Sequence, residues 1–311
     1  MIYVTGHTKP DSDSICAAIA CAALLNARGH DAVAVRQGEL TRETQFILAL
    51  TDKNPPLPCP PLKGEKVWLV DFSDKNHGPA DLDDATILGI IDHQPLGNVT
   101  TAAQLEACIW PVGSTCTVLS SLFVLENIAI DKSMAMLLLA GIVSDTVGLT
   151  SPTTTERDVR ACNQLAMQAE ICLSTFIRDL LTIKTSIEGI DAYTLVNRDM
   201  KVYLWGDGRI GIGQIELATF NQVQDIKPAF YAAMLKSCVD LDLDLVVLML
   251  TDIRSAVTHL IWHGDWGEHL SHHAENGEIV MTKTLSRKQQ VWPWLQNILS
   301  VSGVSNQAAI Y

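Results

Sequence analysis

At 311 residues the chain is long for a single core and predicts two domains, and with 48% hydrophobic residues each can bury one. A formal net charge of −13 argues against non-specific nucleic-acid binding, which needs a basic face. It would also repel an anionic substrate at long range unless bound cations reverse the sign locally. The longest apolar runs, such as 134–143, fall short of a membrane span, and Met1 leads straight into a predicted strand, so neither a membrane helix nor a leader is expected. The eight cysteines have no CxxC spacing and several fall in apolar helical stretches. That pattern predicts reduced thiols in a cytoplasmic protein and disfavours a sulfur-built zinc site.

In chain order, a short apolar strand, Ile2 to Thr5, runs into Gly6, and the loop behind it carries His7, Asp11 and Asp13. A helical pattern from Ile15 to Leu25 follows, with Asp13 at the expected N-cap and Pro10 keeping the preceding residues extended. Taken alone, this loop reads equally well as a capped turn or as the start of a metal site. A strand is expected at 31–35, a helix at 41–50 and a proline-rich extended connection at 54–61. Val67 to Val70 and Thr86 to Ile91 are continuous apolar runs, as in parallel strands buried on both faces, and they end in Asp71 and in Asp92-His93. An apolar helix from Ser133 to Val143 leads into Asp145, and another helix is expected over 156–168.

The pattern breaks around 184–190, where the domain linker is placed. Beyond it, strands are expected at 200–205 and 210–215 across the turn Gly206-Asp207-Gly208, then a helix over 227–239 and a buried strand over 245–250. Edge strands at 257–262 and 277–281 and a short terminal helix complete the reading. The first part is therefore a doubly wound parallel-sheet α/β domain, and the second a smaller α/β domain with a mixed sheet.

In a parallel sheet the carboxyl ends of the strands share one edge, so His7, Asp11, Asp13, Asp71, Asp92, His93 and Asp145 can converge. So many carboxylates could not share a site unpaired, because neighbouring like charges raise one another's pKa. Divalent cations resolve the conflict, and oxygen ligands with one or two imidazoles favour Mn, Mg or Co. The surplus over one ion's needs points to a two-metal centre, which clamps phosphoryl oxygens during in-line displacement. Arg287-Lys288 reads by itself as a solvated surface pair, but with an acidic metal cluster it suits a phosphate clamp. His259, His263, His269, His272 and His273, with His77, are read as surface histidines.

The run Gly6-His7-Thr8-Lys9-Pro10-Asp11-Ser12-Asp13-Ser14, then Val70-Asp71, Ile91-Asp92-His93 and Val143-Ser144-Asp145, resembles the four motifs of the DHH phosphoesterases. Pro111 to Thr117 and Ser151-Pro152-Thr153 also match. Ser286-Arg287-Lys288-x-Gln290 resembles the C-terminal signature of the family II, manganese-dependent inorganic pyrophosphatases. The resemblance covers essentially the whole chain in order. It implies a DHH catalytic domain over 1–184, a hinge over 185–190 and a substrate-binding domain over 191–311, with the active site in the interdomain cleft. It further implies that His7, Asp11 and Asp71 hold one metal and that Asp13, Asp71, His93 and Asp145 hold the other. Lys201, Arg287 and Lys288 would bind pyrophosphate, and a hydroxide shared by the metals would attack phosphorus to release two phosphates. Mn2+ is the implied metal, with Co2+ as an alternative and Mg2+ accompanying the substrate. A homodimer with no nucleic-acid or membrane partner is implied as well.

Three positions depart from the family pattern. Gln94 stands where a second histidine follows the metal-binding one. A glutamine can donate a hydrogen bond to a phosphate oxygen but no proton, a loss of roughly 10²–10⁴ in rate if that group acts as a general acid. Phe72-Ser73 replaces a histidine and an asparagine, removing polar contacts near metal or substrate, and Gln289 replaces a lysine. The readings in order are a pyrophosphatase, a hydrolase of short polyphosphate or another phosphoanhydride, and a metal-binding homologue with a regulatory role.

Overall fold

Runs of apolar residues without polar alternation form a parallel sheet in the computed structural model, which describes residues 1–301. The chain divides into two units, the first spanning Met1–Lys184 and the second beginning at Thr185. In the first, β1 (Ile2–Thr5), α1 (Ser12–Ala27), β2 (Ala32–Arg36), α2 (Arg42–Leu50), a short β3 (Leu57–Pro58), β4 (Lys66–Val70), β5 (Thr86–Asp92) and β6 (Glu106–Ile109) are followed by four helices. These are α3 (Thr115–Leu125), α4 (Lys132–Asp145), α5 (Glu156–Gln168) and α6 (Leu173–Lys184).

The strand order is β3-β2-β1-β4-β5-β6, with every pairing parallel. The chain winds outward from β1 to β3, then crosses back so that β4 pairs with the other side of β1. The order therefore reverses between β1 and β4, and the crevice beyond their carboxyl ends is where open α/β sheets bind ligands. Two cores flank the sheet. The larger is built on α1, α3 and α4, and the smaller holds Leu62, Val67, Leu69, Phe72, Leu82 and Ile87.

α1 starts earlier than its apolar run. Asp11, not Asp13, is the N-cap, and its carboxylate accepts from the Ser14 amide at 2.9 Å. The polar first turn, Ser12, Asp13 and Ser14, is buried and spoken for by tertiary contacts, so the helix extends back over residues whose pattern reads as loop. Gly6 permits this fold-back, since a Cβ there would lie 1.8 Å from Ser14 Oγ. α3 is the element least visible in sequence: its Thr, Cys and Val residues favour strand or turn, and tertiary contacts override them.

In the second unit, α7 (Ala192–Arg198), β7 (Lys201–Trp205), β8 (Gly208–Leu217), α8 (Lys227–Leu241), β9 (Leu245–Asp252), β10 (Val257–Gly264), α9 (Glu268–Ser271), β11 (Ile279–Thr282) and α10 (Trp292–Val301) appear in that order. The sheet runs β11-β10-β9-β8-β7, with β8 and β9 parallel and the other pairs antiparallel. Separate apolar clusters cover its two faces, and residues 185–190 pack on this unit, with Ile187 inside one of them. Among the described residues no helix is long and apolar enough to cross a membrane.

All eight cysteines are free, and they differ in burial. Burial raises the pKa of seven of them, whereas Cys172 is exposed at the entrance to α6. Its Sγ lies 3.3 Å from Ser174 Oγ, and hydrogen bonds led by that hydroxyl lower the thiol to about 7. A thiolate reacts where a thiol does not. Alkylation of the folded protein should therefore label Cys172 first, with a rate that is half-maximal near pH 7 and is lost in Cys172→Ser. Peptide mass spectrometry reads the outcome, and prior labelling of any buried cysteine would contradict it.

Candidate metal centre

β1, β4 and β5 each end in a turn bearing imidazole or carboxylate donors, on the same edge of the sheet. His7 follows β1, Asp71 follows β4, and Asp92-His93 closes β5. Asp71 takes a left-handed backbone conformation, φ 65, which aims its carboxylate along the edge while its amide stays bonded to the Ile91 carbonyl. The Asp71 carboxylate then has an imidazole on either side: His7 Nε2 lies 3.4 Å from Oδ2, and His93 Nε2 lies 3.4 Å from Oδ1. Asp11 approaches His7 at 3.7 Å, and Asp145, the last residue of α4, approaches His93 at 3.1 Å. His7, Asp11 and Asp71 each bring a donor atom within 4.8 Å of the others, and so do Asp13, Asp71 and His93, which leaves Asp71 common to both groups.

The surrounding contacts orient these donors. His93 Nδ1 is 3.1 Å from the Val112 carbonyl, which makes that nitrogen the N–H donor and leaves Nε2 for a cation. Thr115 Oγ1 donates to Asp71 Oδ1 at 3.0 Å. Asp13 is fully buried at the N-terminus of α3, where its oxygens accept from Ser114 Oγ at 2.6 Å, Thr115 N at 2.7 Å and Cys116 N at 3.1 Å. The α3 loop is locked in turn by buried Asp158, which accepts from Gly113 N, Thr117 Oγ1, Thr155 N and Thr155 Oγ1. None of these supporting roles is visible in the sequence. Pro111 to Thr117 stands out in the sequence only as a stretch resembling the family, with no role attached to its side chains.

The protonation pattern follows from crowding. Burial alone would lower both imidazoles, but the bonds from Asp11 and Asp71 hold His7 up at about 10, and those from Asp145 and Asp71 hold His93 up at about 12. Burial, with the charges of Asp71 and Asp145, pushes Asp13 up to about 8. Burial also raises Asp145, against the pull of His93. Asp71 goes the other way, because hydrogen bonds from His7 and His93 outweigh its own burial. Two like charges about 4 Å apart repel by about 4 kcal/mol at an effective dielectric of 20, so the cluster needs positive charge in its midst. The donor set, carboxylate oxygens with two imidazoles and no thiolate, fits hard or borderline divalent cations.

The remaining sequence candidates fall into place differently. Asp92 stays out of the cluster, with Oδ1 accepting from the His93 and Gln94 amides, so it holds the turn. Gln94 turns its amide back on the strand end, donating to the Asp71 carbonyl at 3.3 Å. Phe72 does not face the metal donors. It is 1% exposed and packs in the smaller core, which corrects the expectation that it borders metal or substrate. Ser73 Oγ accepts from the Gly97 amide.

In the second unit Lys201 pairs with Ile212 across β7 and β8, and the Ile212 carbonyl accepts from Arg287 at 3.2 Å. Lys201 is thus paired across the strands with the residue whose carbonyl holds Arg287, and the next residue, Lys288, is exposed. The Arg287 guanidinium also pairs with the Asp199 carboxylate. Gln290 ties the turn by accepting from the Leu285 and Ser286 amides. His259 is not a loose surface histidine: its Nδ1 is 2.8 Å from Glu278 and its ring lies against Phe220.

Comparison with known proteins agrees along the whole chain. Residues 1–142 match the DHH family, N-terminal domain, and residues 178–298 match the DHHA2 domain. A manganese-dependent inorganic pyrophosphatase of Methanothrix thermoacetophila is 33% identical over 95% of this chain and 97% of its own. One from Methanocaldococcus jannaschii is 31% identical over 95% and 98%. A crystal structure described as a family II inorganic pyrophosphatase of Methanococcus jannaschii superposes with a TM-score of 0.66 at 31% identity, covering 96% of this chain and all of that one.

A cation that binds only the folded state stabilises it, by about 2.7 kcal/mol per site when free ligand is at 100 times Kd. Chelation should therefore lower the melting temperature and Mn2+ restore it, with no restoration in Asp71→Ala. Because His7 and His93 would have to shed protons to ligate a cation, the gain should shrink as pH falls. Scanning calorimetry with and without chelator checks both statements.

Proposed function

We propose, because the chain belongs to the manganese-dependent inorganic pyrophosphatase family, that it hydrolyses inorganic pyrophosphate to two phosphates with Mn2+ as cofactor. The observation that carries this reading is the single Asp71 carboxylate standing between two imidazoles and shared by both donor groups. His7, Asp11 and Asp71 would hold one cation, and Asp13, Asp71, His93 and Asp145 the other. Bound there, such cations supply Lewis acidity to phosphoryl oxygens and acidify a water. Co2+ would substitute for Mn2+, and Mg2+ would accompany the substrate.

The chain's own residues orient and balance charge around that chemistry. Thr115 and the Val112 carbonyl hold Asp71 and His93 in their ligating orientations. Arg287 offers a planar fork to pyrophosphate oxygens, with Lys288 and Lys201 as point charges. Gln94 can donate its amide hydrogens to a substrate oxygen but can deliver no proton. A neutral donor there favours slower pyrophosphate turnover, and it is the observation behind a second reading in which a longer phosphoanhydride such as tripolyphosphate is preferred. We take the protein as a cytoplasmic homodimer, a compartment that suits its free thiols.

Phosphate release with Mn2+ should be measured on pyrophosphate, tripolyphosphate and longer polyphosphate at matched free metal. Pyrophosphate should be cleaved, and Asp71→Ala should abolish turnover. Gln94→His should raise the pyrophosphatase rate by about 10²-fold or more if the missing group is a general acid. Preference for tripolyphosphate would move the assignment to the second reading. Mn2+ binding without turnover on any of these would refute hydrolysis.

A further inference from the structure

A buried carboxylate that belongs to neither ligand group connects the segments carrying the ligands. Glu43 lies in the first turn of α2 and is 7% exposed. Its Oε2 accepts from Ser12 Oγ at 2.8 Å and from Ser144 Oγ at 2.9 Å. Ser12 sits between Asp11 and Asp13, and Ser144 immediately precedes Asp145. One oxygen thus grips both the α1 turn and the end of α4, two parts of the chain far apart in sequence. Lys184 Nζ completes the chain of bonds, donating to the Ser144 carbonyl at 2.7 Å and to Ser144 Oγ at 3.0 Å.

The polarity of this relay is fixed by chemistry. An ammonium has only hydrogens to give, so Ser144 accepts from Lys184 and must pass its own hydrogen to Glu43. An ionised carboxylate only accepts, so Ser12 also gives its hydrogen to Glu43. With Ser12 giving its hydrogen to Glu43, the Thr44 hydroxyl 3.0 Å away is the donor to Ser12 Oγ. Packing alone does not explain a carboxylate at this point. Glu43 Oε1 is buried with no hydrogen-bond partner among the described residues, and the side chain adds negative charge beside a cluster already rich in it. Both features disfavour the folded protein, and cations in the cluster would offset the second, because the added negative charge draws them while the grip on Ser12 and Ser144 fixes the spacing of the donors beside them.

We propose that Glu43 is a positioning residue for the metal centre, holding Asp11, Asp13 and Asp145 at ligating separation through Ser12 and Ser144, with Lys184 anchoring the far end. The inference rests on the metal-centre reading above. Its test is the Mn2+ affinity of the folded full-length chain, measured by calorimetric titration after chelation, beside the melting temperature of the chelated protein. Glu43→Gln keeps the shape and removes the charge. It should bind Mn2+ about 10–100-fold more weakly, the range seen when groups supporting metal ligands are altered, while the chelated protein melts no lower than wild type. Ser144→Ala should weaken binding similarly, and the double variant should be little worse than either single, since both cut one relay. Wild-type affinity in Glu43→Gln, or fully additive losses, would overturn the proposal. If Glu43→Gln does not fold, Ser144→Ala decides, and unchanged Mn2+ affinity in it has the same force. A wild-type chain that fails to bind Mn2+ removes the metal-centre reading itself, whereas intact wild-type binding with unaffected variants removes only the role given to Glu43.

Discussion

One carboxylate facing two imidazoles sets the terms for the first unit. Asp71 can serve both donor groups only if β1, β4 and β5 are adjacent, parallel and level at their carboxyl ends. The strand order satisfies that demand by crossing back over β1, which puts the reversal between β1 and β4 where the crevice opens. Had β4 added outside β3, His7 and Asp71 would be strands apart. The left-handed backbone at Asp71 belongs to the same constraint. A conformation that most side chains avoid is kept here, and aspartate is among the residues that tolerate it best.

Concentrating acid at that edge creates an electrostatic problem that the surroundings solve in two ways. Asp13 is placed on the amides that open α3, where oriented N–H groups offset part of its charge. Around it runs a layer of buried hydroxyls, Ser12, Ser114, Thr115, Thr117 and Ser144, each bonded to a carboxylate. Gly141 belongs to this arrangement too, since a Cβ there would lie 2.4 Å from Cys116 Sγ and 3.0 Å from Asp13 Oδ1. Helix α4 can therefore pass close enough to deliver Asp145 only because it lacks a side chain at that point.

What the sequence makes legible follows from the same physics. Strands buried on both faces are continuous apolar runs, and a carboxylate directly after such a run has nowhere to go but the sheet edge, so Asp71 and His93 are readable. The polar layer behind them is not. Its serines and threonines look like turn or cap residues, and their hydrogen bonds join partners far apart in the chain, such as Asp13 with Ser114. That is why the start of α1 and the whole of α3 escape pattern reading, and why Glu43 passes for an ordinary acidic residue in a helix's first turn. Phe72 errs in the opposite direction. It lies next to a ligand in sequence, but the chain turns at Asp71 and sends the following ring into the core, so adjacency in sequence says little about facing the site.

The departures from the family pattern consequently differ in weight. An apolar side chain at position 72 is accommodated by packing with Leu62 and Leu82 and need not disturb the donors at all. Gln94, by contrast, stays beside the donors, its amide bonded to the carbonyl of Asp71 itself. In the second unit the Arg287 fork is held by Asp199, so any anion that took the fork would have to compete with that carboxylate.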